Sequence, residues 1–191
     1  MSFFQYILFT LSVLTAENVF FARALDTGRL QDFIKSPKNI IKLGTSLVYM
    51  NVFAAFISFP IAYFLPHSGL ASLLHSVIFL AVAYIGYILL FIANVRYKLN
   101  LTLPPAVCVN AIVLSTMLIC FKEHYNLLQT LLYAAAAAVG YMGAMLLVYL
   151  GTIRLAYCDS PKAFRGFPIL LVYIGLISLA LYGLLGHQLP V

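Results

Sequence analysis

The chain of 191 residues is 64% hydrophobic and only 8% charged, and its mean hydropathy is +1.03 with a formal charge of +6. A soluble domain carries about 25% charged residues, so this composition excludes a water-soluble globular protein and predicts a single transmembrane domain over residues 1–191. The basic residues lie between the apolar runs, where they act as topology signals, so the expected partner is the lipid bilayer and not nucleic acid.

Six apolar runs predict membrane segments, because roughly 20 mostly apolar residues cross about 30 Å of hydrocarbon. In chain order these segments lie near residues 3–22, 41–65, 70–94, 103–121, 127–150 and 167–186. The predicted fold is therefore an all-α integral membrane protein with six transmembrane helices.

Segment 1 is apolar only as far as Ala16 and then meets Glu17 and Asn18. A carboxylate at membrane depth costs a few kcal/mol, so such residues usually face a partner or a pathway. Glu17 therefore either lines a proton or cation pathway, or lies near the cytoplasmic interface paired with Arg23. Asn18 is a candidate pathway residue as well, although hydrogen bonding between helices is the commoner role of a membrane amide.

Segment 4 opens with Pro104-Pro105 and carries Asn110. Proline removes a backbone donor, and a freed backbone group in lipid is tolerated only where protein or a water-filled cavity surrounds it. Segments 1 and 4 are therefore predicted to be broken or half helices inside the bundle. Glu17, Asn18 and Asn110 are the candidate ion or substrate pathway residues between them.

Segments 3 and 5 carry residues for which packing roles are predicted. A lone histidine, His75, lies early in segment 3, and a structural hydrogen bond is expected for it. In segment 5, Ala136, Gly140 and Ala144 recur every four residues and form a small-residue ridge that lets helices approach closely.

The six segments divide into two sets of three, over about residues 1–98 and 99–191. An odd number per set makes any internal duplication an inverted one, which is common in transport proteins. Ten of the eleven basic residues lie in the loops after segments 1, 3 and 5, and only Lys122 lies on the other side. Because Lys and Arg stay in the cytoplasm, both termini are predicted to be external.

The three cysteines, Cys108, Cys120 and Cys158, have neither zinc-site nor redox-pair spacing. A self-contained metal site is therefore not expected, and Cys108 is a weak candidate for one ligand of a site shared with another chain. The sequence contains no phosphate-binding glycine loop, nucleophile elbow or zinc-protease motif. No catalytic residue is predicted.

Several stretches resemble the Rnf/Nqr family of membrane subunits, and within it the RnfA and NqrE branch. They are the alanine-rich run of residues 133–141, the Ile153-Arg154 pair, the string of residues 159–166 and, as supporting pieces, Glu17-Asn18, Arg23-Ala24-Leu25 and Leu103-Pro104. The string is the most specific part, and its motif residues are Asp159, Pro161, Phe164, Arg165 and Gly166.

The resemblance implies two inverted three-helix repeats, with segments 1 and 4 broken, in the cytoplasmic membrane of a prokaryote. It also implies a related partner subunit of opposite orientation, in a complex that couples ferredoxin or NADH oxidation to sodium or proton movement. In that family each of the two subunits supplies one cysteine from segment 1 and one from segment 4 to a [2Fe–2S] cluster.

The chain departs from the family at these cluster ligands. It has no cysteine before Cys108, and the family's segment 4 Asn-Cys pair falls on Val109-Asn110. Because a [2Fe–2S] cluster of this kind needs four thiolates, no cofactor is predicted for this chain.

Three functions are compatible with these features. The first is a non-catalytic membrane subunit of an Rnf/Nqr-type translocase, without iron–sulfur ligation of its own. The second is a stand-alone small transporter or channel, acting as a homo-oligomer, with a polar site between the broken helices. The third is a non-catalytic assembly protein.

Overall fold

A computed structural model of the chain describes residues 3–15, 18, 20–21, 36–64, 71–98, 110–157, 161 and 164–185. Within this part of the chain the regular secondary structure is helical and includes no strand, which confirms the all-α prediction. The helices are α1 Phe3–Thr15, α2 Pro37–Phe64, α3 Ala71–Tyr97, α4 Ala111–Lys122, α5 Leu127–Leu155 and α6 Phe167–Leu185.

Three of these helices contain stretches that are long and apolar enough to cross a membrane. The stretches are Pro37–Ile61 in α2, His75–Tyr97 in α3 and Leu127–Leu155 in α5. The apolar parts of α1, α4 and α6 are shorter. With 12 residues, α4 is about 18 Å long at 1.5 Å per residue. It is therefore shorter than the predicted segment at 103–121, whose residues 103–109 lie outside the described part of the chain.

Helix α2 begins four residues before the apolar run that predicted it. Pro37 is its first residue, and the carbonyl of Ser36 accepts hydrogen bonds from the backbone N–H groups of Asn39 at 3.1 Å and Ile40 at 3.2 Å. Proline is favoured at this position because its φ is already helical and its missing N–H would be unpaired there anyway. The start of α2 is therefore determined by these local backbone groups and not by hydrophobicity.

Helices α3 and α5 continue past the predicted ends at residues 94 and 150. They end at Tyr97 and Leu155, which places Arg96 and Arg154 in their last turns. A cation there is favourable because the C-terminal end of a helix dipole is negative. Lys98 follows α3 with a φ of 49°, a left-handed conformation that is common just after a helix.

Helix α5 lies at the centre of the bundle, where it packs against α1, α2, α4 and α6. Its ridge of Ala136, Gly140 and Ala144 is buried, as the spacing predicts. On α2, a Cβ atom at Gly44 would lie 2.5 Å from Cγ of Met142, so the approach of α2 to α5 depends on this glycine. Small residues thus bring the helices close together, as they do in membrane proteins generally.

The outer surface of the bundle is as apolar as its core. Large side chains on α3 and α6 are more than half exposed, among them Val77, Ile92, Leu176 and Leu179. In water such a continuous surface would be an aggregation hazard, whereas hydrocarbon solvates it readily. The structure and the composition therefore agree on a membrane protein.

Candidate functional site

The first candidate residue, Asn18, lies in non-helical backbone soon after α1. This helix ends at Thr15, Asn18 is not helical, and Phe20 and Phe21 are helical again. The Asn18 side chain is buried, with 5% of its surface exposed. An interruption at this depth frees backbone groups, which must then be satisfied by protein because lipid offers no hydrogen bonds.

The Asn18 amide supplies those hydrogen bonds. Its Nδ2 donates to the carbonyl of Leu14 at 3.1 Å and to the carbonyl of Gly140 on α5 at 2.9 Å, and its Oδ1 accepts from the backbone N–H of Phe20 at 3.1 Å. Both hydrogens of the amide are used, so only acceptor capacity on Oδ1 is left over. This geometry favours the inter-helix hydrogen bond that was one of the two roles considered for Asn18.

The contact of Asn18 with α5 requires the absence of a side chain at position 140. A Cβ atom there would lie 3.1 Å from Nδ2 of Asn18 and 3.3 Å from the carbonyl oxygen of Leu14. Such distances are tighter than ordinary van der Waals contact. Gly140 therefore both accepts the hydrogen bond and leaves room for the chain that makes it.

The second candidate residue, Asn110, is the N-cap of α4. Asn110 has φ −74° and ψ 130°, and its Oδ1 accepts from the backbone N–H of Ile112 at 2.9 Å. Asparagine is a preferred N-cap because its oxygen satisfies one of the amide groups that a helix start leaves unpaired. Only 3% of the Asn110 surface is exposed, so this helix start is buried.

The two asparagines make the same local hydrogen bond. In each, Oδ1 accepts from the backbone N–H two residues later, at Phe20 or at Ile112. The described part of the site is thus a pair of buried, neutral amides at helix starts. Such amides can bind a dehydrated ion or a polar group through hydrogen bonds and dipoles, but they cannot perform acid–base chemistry.

Other predicted site residues lie outside the described part of the chain. They are Glu17, Cys108 and Asp159. The pathway role of Glu17 and the shared-ligand role of Cys108 therefore remain predictions. Among the described residues, no group of three or more His, Cys, Asp or Glu side chains is arranged to hold a metal ion. Cys120 is a buried free thiol near the end of α4, about 15 Å along the helix from Asn110 at 1.5 Å per residue.

The remaining motif residues form the turn that precedes α6. The backbone N–H of Phe164 donates to the carbonyl of Pro161 at 2.9 Å, and Gly166 has a φ of 88° just before Phe167 begins the helix. A positive φ of this size is accessible to glycine and strained for other residues, which explains the glycine of the motif. Pro161, Phe164 and Arg165 are exposed.

A polar network in the core was not predicted from the sequence. Nδ2 of Asn51 on α2 donates to the carbonyl of Ala134 on α5 at 2.8 Å, and Oγ1 of Thr116 on α4 donates to Oδ1 of Asn51 at 2.6 Å. Asn51 and Thr116 are both fully buried. The sequence signal that could have revealed this network was Asn51 in the middle of an apolar segment, because amide side chains in membranes commonly join helices.

His75 is buried against aromatic rings. Only 3% of its surface is exposed, its ring meets that of Phe121 edge-on at 4.3 Å between centroids, and its Nε2 has no hydrogen-bond partner among the described residues. The predicted structural hydrogen bond is therefore not made by this nitrogen.

Comparisons with known proteins agree with this helical architecture. Residues 6–187 match a family model described as "Rnf-Nqr subunit, membrane protein". Relatives named as one subunit of an "Ion-translocating oxidoreductase complex" are similar to part of the chain. The protein from Aeromonas hydrophila subsp. hydrophila is 34% identical over 90 residues, that from Sodalis glossinidius 39% over 90, and that from Escherichia coli O1:K1 39% over 92.

These similarities cover only part of each protein. The matched stretch is 47% of this chain and 47% of the Aeromonas and Sodalis proteins, and 48% of this chain and of the Escherichia coli protein. The chain thus spans about half the length of the curated relatives that it matches. The family model, in contrast, extends over Asn18 and Asn110 and into all six described helices.

Proposed function

Because the chain belongs to the Rnf-Nqr family of membrane subunits, we propose that it is a non-catalytic membrane subunit of an ion-translocating oxidoreductase complex. The observation that carries this proposal is the family match over residues 6–187. Relatives named as part of such a complex support it over about half of the chain. The buried amides at the helix breaks add a polar feature inside an apolar bundle, which is typical of a protein that works within the membrane.

The proposed architecture consists of two inverted repeats, near residues 1–98 and 99–191, with segments 1 and 4 broken. Two features support it. The first three helices have 13, 28 and 27 residues and the last three have 12, 29 and 19, so each half begins with a short helix followed by longer ones. In addition, each half contains one buried asparagine, Asn18 or Asn110, whose Oδ1 accepts from the backbone N–H two residues later.

The proposed location is the cytoplasmic membrane of a prokaryote, with both termini external. The distribution of basic residues supports this orientation. The proposed partner is a related subunit of opposite orientation, and a second copy of this chain is the alternative. Such a pair would place the broken helices of two chains at one shared interface, as inverted-topology architectures do.

The donor set of this chain does not fit an iron–sulfur cluster. Segment 1 contains no cysteine, and Asn18, at its break, already uses both amide hydrogens on backbone carbonyls. Four thiolates are needed for a cluster of the family's kind, and Cys108 alone would leave the set incomplete even with two cysteines from a partner. We therefore assign no electron-relay step to this chain.

The direct test is purification of the tagged chain from its native membrane in a mild detergent, with everything that co-purifies. We expect redox subunits and a related membrane subunit in the same particle. Deletion of the gene should abolish redox-driven ion uptake by membrane vesicles, and re-expression should restore it. Purification of the chain alone, with unchanged ion uptake in the deletion strain, would contradict the proposal.

Iron content shows whether this chain supplies a cluster ligand, which is a separate question from whether it belongs to the complex. Iron, acid-labile sulfide and the EPR spectrum are measured on the same particle, and on a particle that carries Cys108→Ser. Because this chain lacks the segment 1 ligand, we expect the Cys108→Ser particle to retain the iron and the spectrum of the unmodified particle. Loss of a reducible cluster in the Cys108→Ser particle would show that Cys108 is a shared ligand.

A stand-alone transporter is the second candidate, and the buried polar groups at both breaks favour it, because they persist in a chain without the family's segment 1 cysteine. Proteoliposomes that contain only this chain distinguish it from a member of the complex. Ion or solute uptake by the chain alone would support the transporter. If the chain is an assembly protein, it should transport nothing on its own, and deletion of its gene should abolish the complex. Glu17→Gln and Asn110→Ala should then leave ion uptake unchanged.

Glu17 provides a prediction that is specific to a pathway role. Replacing Glu17 with Gln removes a charge at membrane depth while keeping the shape of the side chain. We expect this variant to lower redox-driven ion uptake more than replacement of any of the three cysteines by serine, because the charge would be part of the pathway. Wild-type uptake by Glu17→Gln vesicles, at an equal level of membrane insertion, would rule out the pathway role.

A further inference from the structure

A cavity lies beside the turn that joins α4 to α5, away from the helix breaks. Its volume is about 410 Å³, which is within the range of small-molecule sites. Side chains of α2, α3, α4, α5 and the turn line it: Ser58, Phe59, Phe79, Met117, Cys120, Phe121, His124, Tyr125, Asn126 and Thr130. None of these residues is an Asp, Glu, Lys or Arg.

The lining changes from apolar to polar between the inner wall and the mouth. Phe79 and Met117 are at most 2% exposed and belong to the hydrophobic core. The buried hydroxyls of Ser58 and Thr130 donate to backbone carbonyls of Ala55 and Tyr125. His124 and Asn126 are exposed and lie in the turn at the end of the bundle. A cavity with an apolar interior and a polar mouth is complementary to a ligand that has an apolar chain and a polar headgroup.

The cavity is also adjacent to the surface that faces lipid. Phe59 on α2 and Phe121 on α4 line the cavity and are themselves partly exposed, in a bundle whose outer surface is apolar. Acyl chains are therefore present at high concentration next to the cavity. By mass action, an abundant ligand fills even a site of modest affinity.

We propose that this cavity binds one acyl chain of a membrane phospholipid, with the phosphate headgroup at the α4–α5 turn. The aromatic and Met117 walls pack against methylene groups, and donors of His124 and Asn126 meet the oxygens of the phosphate. The assignment does not depend on the proposed complex.

Tryptophan fluorescence offers a direct test, because the natural chain contains no Trp. Single-Trp variants are reconstituted in phosphatidylcholine vesicles with and without bromine on the acyl chains, since bromine quenches Trp on contact. Phe79→Trp probes the cavity and Val77→Trp reports ordinary lipid contact. Phe20→Trp is the matched control, because Phe20 and Phe79 are both fully buried but only Phe79 lines the cavity.

We expect brominated lipid to quench Phe79→Trp nearly as strongly as Val77→Trp, and to leave Phe20→Trp almost unchanged. Quenching of Phe79→Trp that is as weak as that of Phe20→Trp would overturn the proposal. That result would mean that the cavity holds water or a different ligand.

A second measurement uses the native thiol in the cavity wall, without a change in packing there. In a Cys108→Ser, Cys158→Ser variant, Cys120 is the single cysteine, and its reaction with a small methanethiosulfonate reagent is timed in detergent. Added phosphatidylglycerol should slow this reaction several-fold, and diacylglycerol should slow it less because it lacks the phosphate. No protection by phosphatidylglycerol would overturn the proposal, and equal protection by diacylglycerol would overturn its headgroup part.

Discussion

At the scale of single residues, the backbone after α1 depends on one amide side chain. Asn18 connects three backbone groups, two of them in its own segment and one in α5. Replacement of Asn18 by Ala leaves the N–H of Phe20 and the carbonyl of Gly140 without this partner in a low-dielectric core. Inter-helix hydrogen bonds in membranes contribute about 0.6–1.7 kcal/mol each, so we expect a loss of about 2 kcal/mol in the free energy of unfolding. Reversible unfolding in mixed detergent micelles measures it.

Asn18→Asp is the matched variant for the role of the amide as a donor. It keeps an acceptor for the N–H of Phe20 but, once ionised, has no hydrogen to give to the carbonyls of Leu14 and Gly140. Its stability should therefore fall further as the pH rises and the carboxyl ionises. Wild-type stability in both variants, together with loss of ion uptake, would instead identify Asn18 as a ligand of the transported species.

Two glycines on the same helix form a matched pair with different surroundings. A Cβ atom at Gly140 would lie 3.1 Å from Asn18 Nδ2, whereas a Cβ atom at Gly143 would meet nothing within 4 Å. Gly140→Ala should cost about 1–3 kcal/mol, the usual cost of overpacking, and Gly143→Ala should be neutral or slightly stabilising because Ala is the better helix former. The same unfolding assay measures both variants. Equal effects would show that α1 does not approach α5 as closely as described.

At the scale of helices, a polar tie joins α2, α4 and α5. Asn51 donates to the carbonyl of Ala134 and accepts from Thr116, so one amide connects helices from both halves of the chain. Asn51→Ala and Thr116→Val, alone and together, form a double-mutant cycle that isolates the bond between them. We expect a coupling energy of about 1 kcal/mol, close to values for other membrane hydrogen bonds. Strict additivity of the two changes would show that the pair does not interact.

The same helices show what could be predicted from the sequence and what could not. Hydropathy located all six apolar helices, because the free energy of burial in lipid sums over many residues and tolerates local exceptions. It misplaced the ends of α2, α3 and α5, because those ends depend on single groups such as Ser36, Pro37 and Arg96.

At the candidate site, polarity within an apolar run was enough to single out Asn18 and Asn110. The long-range partner of Asn18 could not be predicted, nor could the polar contact in the core. The hydrogen bond from Asn18 to Gly140 joins residues 122 positions apart, and that from Thr116 to Asn51 joins residues 65 apart. No local pattern encodes such a pairing, which depends on how the helices pack. The small-residue ridge in α5 did predict where close approach occurs, because the absence of a side chain is itself a local property.

At the scale of the whole molecule, the distribution of charge predicts the direction of insertion. Ten of eleven Lys and Arg residues lie in the loops after segments 1, 3 and 5 or close to the adjoining helix ends, and the remaining one, Lys122, is followed by Glu123. Insertion of the chain in the opposite direction would place ten basic side chains outside the cytoplasm instead of one. A related protein with the opposite distribution would insert the opposite way, and two such chains could then pair around a common axis in the membrane plane.

Reporter fusions test this orientation. Alkaline phosphatase is active only outside the cytoplasm and green fluorescent protein fluoresces only inside it, so each is fused after Tyr97, His124, Tyr157 and Val191. We expect phosphatase activity after His124 and Val191 and fluorescence after Tyr97 and Tyr157, because basic loops remain in the cytoplasm. The reversed pattern at all four sites would assign this chain the orientation proposed for its partner. Phosphatase activity at adjacent sites in the chain would mean that one of the short helices, α4 or α6, does not cross the membrane, and the six-segment topology would be wrong.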